Sequence, residues 1–495
     1  MNEQQLQDRL YRFGGGTADS TMTWGTSVLV VTAILLMFLL PRKYLIYLFL
    51  VVSIFIPYSQ IIVLVGLHFN IYRVLLPFAW VRALTAKRPE GEEPFRLNGL
   101  DKAIMLWVFT DAICDTLLWM NWGAVVNRVG SLYNVFGIYF LLRLLIRDRE
   151  DVYRVVRTLA AICAVLAVFM VLEQINGRNV FSVFGGVSEF TSIREGKIRS
   201  QAAFAHAIVA GTVGATLVPL FIQLWREKNK SRKLAGLGVA AGVVMTITSS
   251  SATPLFSLFA GIGALLMWSF RHSMRLFRWA VVIGLVGLNM VMKAPVWALI
   301  GRVSIIGGNS SWHRYELINE AILHFKDWWL FGAKNPGSWG WEMGDISNAY
   351  VNAAASGGLL AFIFFLAIFW QAFRLIGLAR RKAEVDEDRK TELMVWAFGA
   401  TLFSTAVSYF GIWYFDQSIL IWYALLAMIG AITSTALAQA PATEPAQQLP
   451  PWARKPSPLP VPSPAGAQTA KPAVRVGPPG FANARARLAD LYGKR

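Results

Sequence analysis

The chain has 495 residues, 55% of them hydrophobic and 15% charged, and its apolar residues fall in runs too long for the core elements of a soluble domain. A formal net charge of +18 would suggest nucleic acid in a soluble protein; in a multispanning one the positive-inside bias and anionic headgroups account for much of it, and nucleic-acid binding is not expected. The only cysteines, Cys114 and Cys163, lie inside apolar segments and support neither a disulfide framework nor a thiolate metal site.

Residues 1–22 form an extension ahead of the first apolar run, which ends without the small-residue cleavage site of a secretory signal. A helix needs roughly 20 apolar residues to cross the hydrocarbon core of a membrane. Apolar segments fall at about 24–40, 44–58, 61–83, 103–119, 123–144, 155–174, 202–224, 234–250, 252–270, 277–293, 348–373, 393–413 and 417–436. The expectation is an all-α, polytopic integral membrane protein with about 12–13 transmembrane helices within residues 23–436.

Basic residues crowd the connections Arg82–Lys102, Arg143–Arg154, Arg226–Lys233, Arg271–Arg278 and Arg374–Lys390. These alternate with other loops and so mark the cytoplasmic side of a bacterial inner membrane. The stretch Gly177–Gln201, the hydroxyl run Thr246–Thr253 and a long loop at 294–347 then fall on the periplasmic side. Thirteen spans place the amino terminus outside and twelve place it inside. Residues 437–495 read as a disordered basic cytoplasmic tail, because the part from Pro441 holds 12 of the chain's 21 prolines and eight basic residues against two acidic ones. Such a tail touches anionic headgroups or serves as a solvated spacer.

Three polar clusters share the periplasmic face. The first is Arg194, Lys197 and Arg199, followed by His206 at the opening of the next helix. A helix amino terminus offers free N–H groups and partial positive charge, so arginines beside it suit phosphate or diphosphate; the same cations also anchor to headgroups. The second is the hydroxyl run, able either to bond a sugar or phosphate or to cap two helix ends. The third is the long loop, with Arg302, Trp312, His313, Arg314, Tyr315 and Glu316, then Asp327–Trp329, Trp339–Trp341 and Asp345. Aromatic rings stack on sugar faces and arginine pairs with phosphate, while tryptophan also marks the headgroup level. Asn348, Asn352 and Ser356 recur every four residues, a stripe that should face a water-filled cavity or the bundle interior, with Gly357–Gly358 letting another helix approach. Asp111 and Asp115 share a helix face near Arg128 and suggest a structural ion pair; Arg73 and Glu173 are further ionisable residues within spans.

From the third cluster onward the pattern resembles the O-antigen ligase and O-antigen polymerase family of bacterial membrane glycosyltransferases, with their exopolysaccharide relatives. In that family an arginine-bearing helical segment of a long periplasmic loop leads to a proline- or glycine-marked turn. A His-Asn pair then opens a helix and is followed, after nine intervening residues, by Gly-x-x-Gly. Arg314 with Tyr315–Ala321 looks like the first part, Trp329–Gly332 looks like the turn, Asn348 takes the Asn position and Gly358–Ala361 takes the glycine motif. Arg199–Gly211 is similar to the family's earlier arginine-led helix opening. Ser347 stands where the family has histidine, and Ala361 replaces the last glycine. In ligases of the family that histidine is proposed as the base for the acceptor hydroxyl. Its absence favours a polymerase or divergent relative, with Asp345, Glu342, His313 and His206 as candidate substitutes.

The resemblance implies a metal-independent glycosyltransferase, without a cofactor, that acts on a polyprenyl-diphosphate-linked glycan donor and a glycan or lipid acceptor. Membrane lipids and polysaccharide-assembly proteins are its implied partners. Arg314 and Arg199 would hold the diphosphate with Asp345 and His313 at the reacting centre, while Arg194, Lys197, His206, Arg302, Ser347, Asn348 and Asn352 would line the substrate. A transporter or flippase of lipid-linked glycan or another solute is the alternative; polar groups gathered on one face beside one dominant loop favour an enzyme. A non-catalytic assembly scaffold has only the tail in its favour.

Overall fold

The computed structural model describes residues 20–64, 67–85, 96–227, 231–302, 310–340 and 343–438. Residues 1–19, Glu342 and nearly all of the tail, from 439 onward, lie outside the described residues. The apolar runs wind into helices α1 (Trp24–Leu39), α2 (Leu45–Phe55), α3 (Ile71–Thr85), α4 (Gly99–Trp119), α5 (Trp122–Leu145) and α6 (Arg149–Asn176). They continue through α7 (Ala207–Arg226), α8 (Arg232–Thr248), α9 (Ala252–Leu266) and α10 (Met274–Val291). The long loop carries α11 (Ser310–Leu323), and α12 (Ala349–Val385), α13 (Arg389–Ser408) and α14 (Ser418–Ala438) complete the order.

Six of these stretches are long and apolar enough to cross a membrane among the described residues: α5, α6, α7, the continuous Ala252–Val291, α12 and α14. The protein is an all-α polytopic membrane protein. The remaining apolar segments make helices that are shorter, such as the 11-residue α2, or more polar, such as α4 with Asp101, Lys102, Asp111 and Asp115.

One expected span is corrected. The apolar segment at 61–83 is not a single helix: Gln60–Leu64 and Leu67–Asn70 pair as antiparallel strands β2 and β3, and α3 begins only at Ile71. A short β1 (Ser20–Thr21) joins β2 in parallel. Ile61, Ile62 and Val63 are β-branched, and such residues lose rotamer freedom in a helix and fit a pleated surface.

Hydrogen bonds sort the connections into two ends. At one, Arg149 reaches Thr391 and Asp388, Tyr153 donates to Glu227, and Arg271 and Arg380 pair with Glu392. Arg82 donates to the carbonyls of Met37 and Leu40 there, and Arg42 to that of Leu144. This end gathers all five basic connections. At the other end Thr23, at the start of α1, meets Gln60 and Phe184, so residue 23 lies on the side that carries the polar clusters.

Within the bundle, Arg128 pairs with Asp111 and Asp115, both at 2.7 Å, across the α4–α5 hairpin, as expected for a structural ion pair. Ser356 Oγ donates to Asp111 Oδ1 (2.7 Å), and a Cβ on Gly357 would sit 3.1 Å from Asp111 Cα, so the Ser356 end of the polar stripe of α12 faces α4. Immediately beyond, α12 breaks at Gly358 (φ 73°), and the loop segment 329–333 crosses the break. Leu359 N–H donates to Trp329 O and Ala333 N–H to Ala355 O, each at 2.8 Å. Backbone groups freed by the break thus find partners in the loop.

Candidate functional site

Strands β4 (Ser192–Arg194) and β5 (Lys197–Arg199) form a hairpin whose turn residues Glu195 and Gly196 have φ of 53° and 73°, the left-handed pair of a type I′ turn. The register sets Arg194 opposite Lys197 and Ser192 opposite Arg199, so three cations share one face. Like charges facing each other across strands are destabilising, and an anion between them removes the penalty.

Arg194 and Lys197 are exposed, whereas Arg199 is drawn into the protein at 8% exposure. Its Nη2 donates to Ser251 Oγ at 2.8 Å, and its Nε has no partner. The hydroxyl run is tied to this strand by Ser200 N–H to Thr248 O (3.1 Å) and Ser250 Oγ to Ile198 O (2.9 Å). Two residues past Ser251, Thr253 Oγ1 accepts from Arg314 Nη2 at 2.8 Å. The same run also back-bonds its own helix, with Thr246 donating to Gly242 O and Ser249 to Thr246 O. These hydroxyls thus serve the two arginines and their own helix's carbonyls, while Ser251 stands at the N-cap of α9 without a side-chain capping bond.

Arg314 occupies the buried stripe of α11, between Ser311 and Leu317, at 8% exposure. Neither Arg199 nor Arg314 pairs with a carboxylate of the described residues. Burial first, then the Arg194 guanidinium, holds both below the usual arginine value. A Cβ on Gly411 would meet Thr253 Oγ1 and lie 2.8 Å from Arg314 Nε, so only glycine leaves room there.

His206 is the N-cap of α7, with Nδ1 accepting the Ile208 N–H (3.2 Å), rather than a member of the first helical turns. Its ring is exposed at the surface, although protein atoms crowd around it. Desolvation, then Arg199, pushes its pKa down to about 4, with Asp345 acting the other way. A neutral ring accepting at Nδ1 carries its proton on Nε2 and is a donor.

Asp345 is exposed, and its backbone oxygen lies 3.2 Å from His313 Nε2, while His313 Nδ1 is buried without a partner. Ser347 is half-buried beside them. Asn348 is fully buried and spent on structure: Oδ1 caps α12 through the Tyr350 and Val351 N–H groups, and Nδ2 donates to Phe410 O. Asn352, half-buried, follows one turn later. Arg302 is exposed beyond α10, and the contacts above do not include it. Trp312 lies two residues, hence about 200°, around the helix from Arg314 and packs at a tilt against Tyr315, ring centroids 5.0 Å apart, away from the buried arginine. Trp328 and Trp339 are buried in the loop's own apolar cluster.

The structure therefore joins Arg194, Lys197, Arg199, His206, Arg314 and Asp345 about the hydroxyl run. Residues not signalled by the sequence complete it, Gly411 and the polar side chains of Asn179, Asp416 and Gln417, together with Glu173, which the sequence marked only as an ionisable residue within a span. No protein-family model matches the chain, and no curated protein matches it.

Proposed function

We propose that the protein is a glycosyltransferase of the bacterial inner membrane, similar to O-antigen polymerases and ligases, that transfers a glycan from a polyprenyl diphosphate on the periplasmic face. One observation carries this reading: Arg199 and Arg314, both 8% exposed and without carboxylate partners among the described residues, bind hydroxyls two positions apart. Burying two unpaired cations together costs stability unless an anion joins them. A guanidinium fork suits phosphate oxygens, and a diphosphate presents enough of them for both.

In the transfer the bond between the sugar anomeric carbon and the diphosphate oxygen breaks, and the electron pair leaves on the diphosphate. The acceptor hydroxyl oxygen bonds to that carbon, and its proton passes to the Asp345 carboxylate. Fixed cations at the leaving group lower the barrier where charge develops. His206, neutral and with its Nδ1 committed to the α7 cap, serves as a hydrogen-bond donor rather than as the base.

Transport has one feature in its favour, the break of α12 at Gly358, since broken helices mark many transporter sites. Here the 329–333 segment fills the break with backbone hydrogen bonds, which argues for a fixed support. The test is Arg314→Lys, which keeps the charge and loses the fork. Turnover of a lipid-linked glycan by the purified protein should fall by on the order of a hundredfold, about 3 kcal/mol, at unchanged yield in the membrane. Elongation at the unmodified rate by Arg314→Lys and Arg314→Ala would end the diphosphate role and favour transport.

A further inference from the structure

Glu173 and Asp416 are buried carboxylates, 1% and 0% exposed, and neither has a basic partner among the described residues. Each hydrogen-bonds the backbone between Arg199 and His206, and Asp416 also accepts the Ser418 N–H (2.8 Å) at the opening of α14. Glu173, in the last turn of α6, accepts the N–H groups of Gln201 (3.1 Å) and Ala202 (2.9 Å), and Thr191 Oγ1 donates to it as well. Asp416, two residues ahead of α14, accepts the Ala205 N–H at 2.9 Å. Asn179 Nδ2 donates to Ala202 O at 2.7 Å, and Gln417 Nε2 donates to Ala203 O. Five backbone groups of a six-residue connection are thus held by side chains from three separate places in the chain. Ala202 is locked in the left-handed region, φ 50°, where a residue with a Cβ stays only if its surroundings over-determine it.

A loop that needed only to be satisfied could use water at a membrane surface. Two desolvated carboxylates are costly unless their hydrogen bonds are fully made, so their presence marks a segment whose place is fixed tightly. Arg199 directly precedes that segment, and His206 ends it.

We propose that Glu173 and Asp416 are positioning residues that set Arg199 and His206 against Arg314, so that the site takes a diphosphate only while both carboxylates hold the 201–205 backbone. The proposal rests on the anion reading above. Glutamine at 173 keeps the size but offers one acceptor oxygen, and its amide hydrogens oppose one of the N–H groups.

The probe is inorganic pyrophosphate, titrated calorimetrically into the full-length protein in detergent, because stoichiometry and affinity separate misfolding from misplacement. Glu173→Gln and Asp416→Asn should each weaken binding on the order of tenfold or more with stoichiometry unchanged, since displacements near 1 Å carry effects up to about a hundredfold. In an Arg199→Lys background Glu173→Gln should add little, because both changes disable the same contact. Glu173→Asp, which keeps two acceptor oxygens, should retain more affinity than Glu173→Gln. Full affinity in Glu173→Gln, fully additive losses, or reduced stoichiometry at unchanged affinity would each overturn the positioning role while leaving the anion site standing. Absence of pyrophosphate binding by the unmodified protein would instead remove the anion reading and this proposal with it.

Discussion

At the scale of single residues, Arg199 and Arg314 stand out in the sequence because one lies in a basic cluster ahead of a helix opening and the other in a long loop rich in aromatic rings, at the arginine position of the pattern it resembles. Only the structure shows Arg314 inside the buried stripe that Ser311, Leu317 and Ala321 mark on its helix. The aromatic neighbours were a weaker guide, because adjacency in sequence puts Trp312 on another side of α11. What sequence cannot display is the far side of a contact. Gly411 touches Thr253 and Arg314, and Asp416 caps Ala205 across 211 positions; neither carries a local signal for such a partner. His206 gives a prediction at this scale. Its folded pKa of about 4 lies below the ordinary value near 6.5, so on acidification the unfolded chain takes the proton first. Stability from this group is then flat above about pH 6.5 and falls as pH drops from there towards about 4. His206→Gln should therefore lose less thermal stability than the unmodified protein between pH 7 and pH 5, and its turnover should show the same pH profile from about pH 6 to 8. Parallel losses on acidification, or a profile reshaped in that range, would put the ring's titration inside that range and restore it as a candidate base.

At the scale of elements, length and apolarity announced the helices, and their ends followed local chemistry: Asn98, His206, Asn348 and Asp388 each cap the helix they precede. The exception at 61–83 has a physical cause, since an apolar strand and the start of a span look alike until β-branched residues are weighed. The break in α12 was legible only as a pair of glycines that admits a neighbour. The neighbours are two: α4 against Gly357, and the Trp329–Gly332 turn against Gly358. A Cβ on Gly358 would lie 2.5 Å from Leu330 O with the backbone at φ 73°. Gly358→Ala should thus cost at least about 2 kcal/mol, from left-handed strain and the displaced turn, read as a lowered unfolding midpoint in detergent. Gly377→Ala in the same helix meets nothing within 4 Å and should be neutral or slightly stabilising. Equal midpoints for the two variants would show that the turn does not seat on the break.

At the scale of the molecule, the sequence and the structure reach the same two-sidedness by independent routes. Positive-inside reasoning groups the five basic connections from composition alone. In the folded chain those connections meet through Arg149–Asp388 (3.5 Å), Arg271–Glu392 and Arg380–Glu392 (both 3.3 Å). The polar clusters meet at the other end through Arg199–Ser251 and Arg314–Thr253. Hydrogen bonds fix which loops share an end; only the charge bias assigns an end to the cytoplasm. Cysteines at two exposed positions separate these statements. Ser338 lies in the long loop and Arg381 near the last turn of α12, and the native Cys114 and Cys163 are both buried and replaceable by alanine. In intact cells made permeable only at the outer membrane, an impermeant maleimide should label Ser338→Cys and spare Arg381→Cys, which should react after lysis. Labelling of both before lysis would break the grouping of loops. Labelling of Arg381→Cys alone would keep the grouping and invert it, placing the two arginines in the cytoplasm, where a periplasmic glycan donor cannot reach them.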